Sequence, residues 1–279
     1  MRSKLALVAV AAAVLALAAA LAAGLSHGQG GQALQGCKPG DRGVVKAYLC
    51  VAAKKAWERI IEEFERETCI RVDAVYGSSG SLLAQLSMAR DGDIYAPASP
   101  AYMEKAVREG VVDSSSVRPA AYLVPAILVP RGNPAGVRSL YDLARPGVRV
   151  ALGDPRSVAV GTYAREMLER LGLWEDVSRN VVAYASSFAQ LVMMVERGAV
   201  DAAIGWSVAE KWTGGRVEAI PIPSNLTLGP SPIPVGVTVF SRNREAALRF
   251  IEFLSSPRAE AIWRMEGYEP AGGVGGADG

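Results

Sequence analysis

Tyr76-Gly77-Ser78-Ser79-Gly80-Ser81 is a stretch whose residue types could do chemistry, because a β-rich run precedes it and a helical pattern follows. Its glycines and serines put free backbone N–H groups and hydroxyls, those of Ser78 and Ser79 among them, at a helix N-terminus, where negative charge is favoured. A nucleotide-binding P-loop needs a Gly-Lys-Ser/Thr ending, and this turn holds no lysine. A Gly/Ser turn can equally serve tight turning and capping alone, so wider context must decide. Val150-Ala151-Leu152-Gly153-Asp154-Pro155, followed by Val158-Ala159-Val160-Gly161-Thr162-Tyr163, repeats the arrangement of strand, turn and helix opening. Two such N-termini, one per lobe, would face one cleft.

Other chemistry is excluded by what the chain lacks. The single histidine, His27, lies beside an N-terminal apolar tract, so neither a His-based triad nor a histidine metal cluster can form in the folded body. Ser79 therefore has no base to activate it, and the Asp91/Asp93 pair reads as a polar loop before a strand, so no enzyme is expected. With 30 Lys plus Arg against 28 Asp plus Glu, the chain has no polycationic surface of the kind nucleic-acid binding requires.

Around these turns, strand and helix patterns alternate along the chain. Strands are expected over 44–51, 70–76 and 93–96, with helices over 56–67, over 82–90 and from Ser99-Pro100, a Ser cap followed by a Pro suited to the first helical position. Trp57, Ile60, Ile61 and Phe64 recur at helical spacing in the first helix. An apolar run over 122–130 opens a second series: strands over 148–152, 181–184, 202–206 and 217–222, with helices over 162–171 and 188–197. A Pro/Gly/Ser/Asn-rich loop over 225–234 then leads to a strand over 235–240. Helices over 244–254 and 257–265 close the chain. The alternation implies α/β lobes with parallel sheets, whose ligands bind at the carboxyl ends of the strands.

Arg2 and Lys4 precede an uncharged run of Ala, Leu and Val over residues 5–25, followed by small and polar residues. This is the grammar of a signal peptide or membrane anchor over 1–30, and it makes the protein exported and extracytoplasmic. Without that segment the body holds 28 basic and 28 acidic side chains. Leu34-Gln35-Gly36-Cys37 resembles a lipoprotein box, but a Gly/Gln-rich stretch separates it from the apolar run; an incidental Cys in a linker over 31–43 is the other reading. Cys50 and Cys69 either pair across the first helix or stay as buried thiols.

The chain resembles the molybdate- or tungstate-binding proteins of ABC importers, members of the type II periplasmic-binding-protein fold, from about residue 46 to 268. The likeness is carried by Tyr76-Gly77-Ser78-Ser79-Gly80-Ser81-Leu82, by Gly92-Asp93-Ile94-Tyr95 with Ala98-Ser99, by Ser139-Leu140-Tyr141-Asp142-Leu143-Ala144, and by Leu152-Gly153-Asp154-Pro155 with Gly161-Thr162-Tyr163. The resemblance implies an α/β fold of two lobes, each a mainly parallel sheet flanked by helices. The terminal helices have no strand of their own to pack on, which assigns 44–121 with 240–270 to the first lobe and 122–239 to the second, and the Gly-rich, aperiodic stretch over 271–279 is expected to be a disordered tail. It implies an oxyanion held between the lobes by the Ser79 hydroxyl and by backbone N–H groups at Val160 and Phe188. Trp206 stands where the family has a tyrosine, and Ala52 where it has a second serine. Lys54, Lys55 or the Tyr95 hydroxyl could compensate for that missing donor. The implied partners are molybdate or tungstate and an ABC permease with its ATPase, the receptor itself being a monomer. No cofactor or resident metal is implied, and an altered donor set leaves open another small oxyanion or a carboxylate.

Overall fold

A computed structural model describes residues 38–273. The chain divides into the units Met1–Gln35 and Gly36–Gly279, and the described residues all belong to the second. The expected export segment, Cys37 with its lipidation reading, and residues 274–279 of the expected tail lie outside the described residues, whereas 271–273, expected to be disordered, form a short 3-10 turn. Among the described residues no helix is long and apolar enough to cross a membrane.

The chain opens with β1 (Val44–Cys50), buried along most of its length as a parallel strand covered on both faces should be. α1 (Lys54–Thr68) buries Trp57, Ile60, Ile61 and Phe64 and ends at Cys69 in the left-handed conformation. β2 (Arg71–Gly77), α2 (Ser79–Ala89), β3 (Ile94–Ala96) and α3 (Pro100–Arg108) follow. α2 starts three residues earlier than its apolar pattern indicates, because Ser79, Gly80 and Ser81 themselves form the first turn behind Ser78.

The apolar run over 122–130 is two strands. β4 (Arg118–Leu123) belongs to the first sheet and β5 (Pro125–Pro130) to the second, so the chain crosses at Val124. Pro125 opens β5, a strand position where its missing N–H costs least. The second sheet then gathers β6 (Val150–Gly153), β7 (Val181–Ala185), β8 (Ala202–Trp206) and β9 (Val217–Pro221). Around it lie α4 (Ala159–Arg170), α5 (Trp174–Ser178), α6 (Phe188–Glu196) and α7 (Val208–Thr213). β10 (Ser231–Val237) returns to the first sheet, and α8 (Arg244–Phe253), α9 (Pro257–Met265) and β11 (Glu269–Pro270) complete the described chain.

Strand order is β11-β4-β10-β3-β1-β2 in one sheet and β7-β6-β8-β5-β9 in the other. β1 pairs in parallel with β2 and β3, and β6 with β7 and β8. β5 and β10, the strands that follow each crossing, run antiparallel to their neighbours, so the expected parallel character holds for only part of each sheet. The boundary expected between residues 121 and 122 falls instead at Val124, because Tyr122 and Leu123 still pair with Pro232 and Ser231. The boundary expected between 239 and 240 falls in the segment 222–230. Residues 231–234, expected to be loop, belong to β10 despite Pro232 and Pro234, since a register shift at Ile233/Pro234 absorbs the missing N–H.

Three further expectations are corrected. Residues 38–43 of the expected linker are tied down, with the Gly40 and Arg42 amides donating to the Cys69 carbonyl at 2.9 and 3.3 Å. Cys50 is a buried free thiol while Cys69 is disulfide-bonded, so no Cys50–Cys69 pair exists. Asp93, expected to open a strand, lies in the loop before β3 and is buried there: its carboxylate accepts from the Lys46 amide at 2.8 Å, the Ser241 hydroxyl at 2.7 Å and the Arg242 amide at 3.0 Å, joining β1 to the start of α8.

The terminal helices pack on α1 through aromatic rings. Trp57 meets Trp263 edge-on at 4.8 Å, Phe64 meets Phe250 at 5.0 Å, and Trp263 meets Tyr268 at 5.3 Å. Edge-to-face pairs add to the gain from burial alone. Trp263→Ala is expected to cost about 3–5 kcal/mol by cavity formation. A lower urea midpoint at unchanged slope would register that loss, and an unchanged midpoint would contradict it.

Candidate functional site

Each site element is positioned by local sequence. Ser78 caps α2 in extended conformation and donates its hydroxyl to Ser81 Oγ at 2.7 Å. Ser187 caps α6 by accepting from the Gln190 amide at 3.2 Å, and Gln190 Oε1 returns the contact to the Ser186 amide at 2.7 Å. α4 lies against β6 because both contact residues are glycine: a Cβ on Gly161 would sit 2.3 Å from the Gly153 carbonyl oxygen. That close approach carries the first turn of α4, with Ala159 and Val160, to the end of its strand.

The N-termini of α2, α4 and α6 meet at one narrow cavity between the two sheets, with a volume of about 10 Å³. All six residues singled out from the sequence line it: Ala52, Ser78, Ser79, Val160, Phe188 and Trp206. First-turn amides have no acceptor within their own helix, and each N-terminus carries partial positive charge. No Asp, Glu, Lys or Arg lines the cavity.

The donors are not equivalent. Ser79 is 2% exposed; its Oγ accepts from the Ala98 amide at 3.0 Å, which leaves its hydroxyl proton free to be donated. The Tyr95 hydroxyl donates to the Ser79 carbonyl at 2.8 Å, fixing the turn from below. Ser78 lines the cavity, but its proton is engaged by Ser81. Ala52 brings only a methyl, and its carbonyl accepts from the Tyr268 hydroxyl at 2.7 Å. Trp206 is 1% exposed, and its Nε1 is buried with no acceptor. A buried N–H without a partner costs roughly 1–3 kcal/mol, so an orphan donor in a cavity wall calls for an explanation.

None of the three groups expected to compensate at Ala52 lines the cavity. Lys54 pairs with Glu58 at 3.5 Å and lies over the Tyr76 ring, and Lys55 donates to the Trp212 carbonyl at 2.9 Å. The Tyr95 hydroxyl is spent on the Ser79 carbonyl, and burial holds it well above the usual phenol range. Sequence reasoning missed Cys50, which also lines the cavity. Burial pushes its thiol up to about 12, against a smaller opposing pull from the Trp57 indole and the Ala53 amide. It missed Tyr163 as well, whose ring meets Trp206 at 5.2 Å while its hydroxyl donates to the Gly229 carbonyl at 2.7 Å and accepts from the Leu228 amide at 3.0 Å. The side chain behind Trp206 thus also grips the segment returning to the first sheet.

Two mixed sheets flanked by helices, with a donor-lined cavity between them, are the architecture of a type II periplasmic-binding protein. The chain belongs to the family of bacterial extracellular solute-binding proteins, whose model matches residues 45–269. A putative binding protein of Haemophilus influenzae is 27% identical over 229 residues, covering 80% of this chain and 90% of that one. The molybdate-binding protein ModA of Escherichia coli is 26% identical over 255 residues, covering 88% of this chain and 95% of that one. The solved sulfate-binding protein SubI of Mycobacterium tuberculosis shares the fold with a TM-score of 0.73 at 19% identity, over 82% of this chain and 87% of that one.

The Gly153–Gly161 contact yields a test of how the site is assembled. Gly161→Ala is expected to cost roughly 1–3 kcal/mol of stability, because the added methyl meets backbone that cannot swing aside. Thermal or urea unfolding would measure it, and wild-type stability would show that α4 does not depend on this approach.

Proposed function

We propose that this chain is the solute receptor of an ABC importer and takes a fully deprotonated tetrahedral oxyanion, molybdate or tungstate, between its two lobes. The observation that carries this reading is the convergence of three helix N-termini on a cavity without a charged side chain, with Trp206, whose buried N–H has no acceptor, in its wall. Neutral donors and helix-terminal partial charges satisfy a dianion from several sides without a buried countercharge. The likeness to a molybdate-binding protein supports the ligand class, and the N-terminal apolar tract supports export to the side where a permease and its ATPase would be served by a monomeric receptor. The absence of a carboxylate from the wall disfavours hydrogen phosphate, whose proton needs an acceptor. The methyl of Ala52, where the resembling proteins carry a hydroxyl, favours as a second reading a different small oxyanion or a carboxylate.

Calorimetric titration with molybdate, tungstate, sulfate, phosphate and a short carboxylate tests both readings. Molybdate or tungstate is expected to bind most tightly and phosphate weakly; binding of the carboxylate alone would promote the second reading. Ser79→Ala is expected to weaken oxyanion binding by about 1–3 kcal/mol, roughly ten- to a hundred-fold. Ala52→Ser should leave affinity unchanged or raise it. Unchanged affinity in Ser79→Ala would overturn the site assignment. Trp206→Phe keeps an aromatic ring against Tyr163 but removes the N–H, and is expected to weaken binding about tenfold; full affinity in that variant would remove Trp206 from the donor set.

A further inference from the structure

Cys50 ends β1 directly before the turn Val51–Ala53 and is 1% exposed. It lines the same cavity as Ser79 and Trp206, and it is a free thiol. Trp206 stands in the same wall, and its buried indole N–H has no acceptor. The walls come from both sides of a seam, with Cys50, Ser79 and Ala98 on the first sheet's side and Val160, Phe188 and Trp206 on the second's. Among the described residues the chain crosses that seam at Val124 and in the segment 222–230. Among the bonds that span it are the Gly80 amide to the Ser157 carbonyl at 3.1 Å and Lys55 Nζ to the Trp212 carbonyl at 2.9 Å. Both involve exchangeable polar groups that water can satisfy when the seam parts.

We propose that Cys50 is an occupancy-gated modification site: an electrophile reaches its sulfur when the empty cleft parts, and an oxyanion held in the cavity shuts that route. This rests on the oxyanion reading above. With the seam closed, burial keeps the thiol protonated, and a protonated thiol is a poor nucleophile. Once water enters, the sulfur deprotonates toward its ordinary range and can react. With iodoacetamide, the thiolate forms a bond to the methylene carbon, the carbon–iodine bond breaks with its electron pair to release iodide, and the thiol proton passes to the buffer. The adduct adds an amide-bearing group to a cavity of about 10 Å³, so modified protein should no longer close on its ligand.

The test uses the purified chain and iodoacetamide, with uptake at Cys50 followed by peptide mass spectrometry to separate it from the other cysteines. Molybdate, tungstate and sulfate are each added at concentrations that saturate binding by calorimetry. The expected result is steady labelling of the ligand-free protein, at least tenfold slower labelling with a bound oxyanion, and at least a hundredfold loss of affinity after alkylation. In Cys50→Ala, whatever affinity the variant has should be unchanged by iodoacetamide. Equal labelling rates with and without an oxyanion that binds would overturn the gating and leave the oxyanion reading standing. So would a Cys50 that labels only after unfolding. If none of the three oxyanions binds, the oxyanion reading fails and the gating fails with it.

Discussion

A dianion can be held without a cation only if many weak donors are made to agree in direction. On the proposed reading, that electrostatic constraint governs the arrangement around the cavity. Each helix N-terminus contributes a fraction of a charge and a few unpaired amides, and these effects fall off within one turn. The helices must therefore start at the cavity, and parallel strands whose carboxyl ends share an edge are the arrangement that brings several starts together. β1, β2 and β3 do this on one side, and β6 with its neighbours does it on the other. The glycine pair at Gly153 and Gly161 serves the same end, since no side chain would let α4 begin so close to its strand.

The rest of the molecule holds these starting points still. Tyr95 and Tyr268 each donate a hydroxyl to a backbone carbonyl of a cavity turn, at Ser79 and Ala52. Both phenols are buried deeply enough that they stay protonated. Tyr268 in turn leans on Trp263, and Trp263 on Trp57, so the aromatic cluster under the C-terminal helices reaches the cavity through a short chain of contacts. On the opposite wall Tyr163 supports Trp206 in the same manner. The cavity is neutral, but its backing is a set of polar hydroxyls locked onto main chain.

Much of this was legible in the sequence where local chemistry and periodicity agreed. The Gly/Ser turn announced a helix start after a strand, and Trp57, Ile60, Ile61 and Phe64 announced the buried face of α1. Ser78 from that turn and the five residues drawn from the family resemblance line one cavity. What was illegible depended on partners distant in the chain. The break at Val124 hides inside an unbroken apolar run, because the change of sheet is decided by which strands Leu123 and Pro125 pair with. Pro232 and Pro234 read as loop until a register shift lets them enter a sheet. Asp93 carries no local sign that residues 241–243 will cover it, and a cysteine at the end of a buried strand reads as core until the second lobe closes over it.

The crossing at Val124 is a single residue between two paired strands, whereas the return crossing spans residues 222–230. A connector with no slack transmits any change in its length to both sheets at once, since a one-residue shift in β4 or β5 turns every side chain to the opposite face. The longer return segment can absorb such a change before it reaches β10. Over evolutionary time the two connections should therefore drift at different rates, with insertions and deletions accumulating in the long one while the short one keeps its length even where its residue type varies.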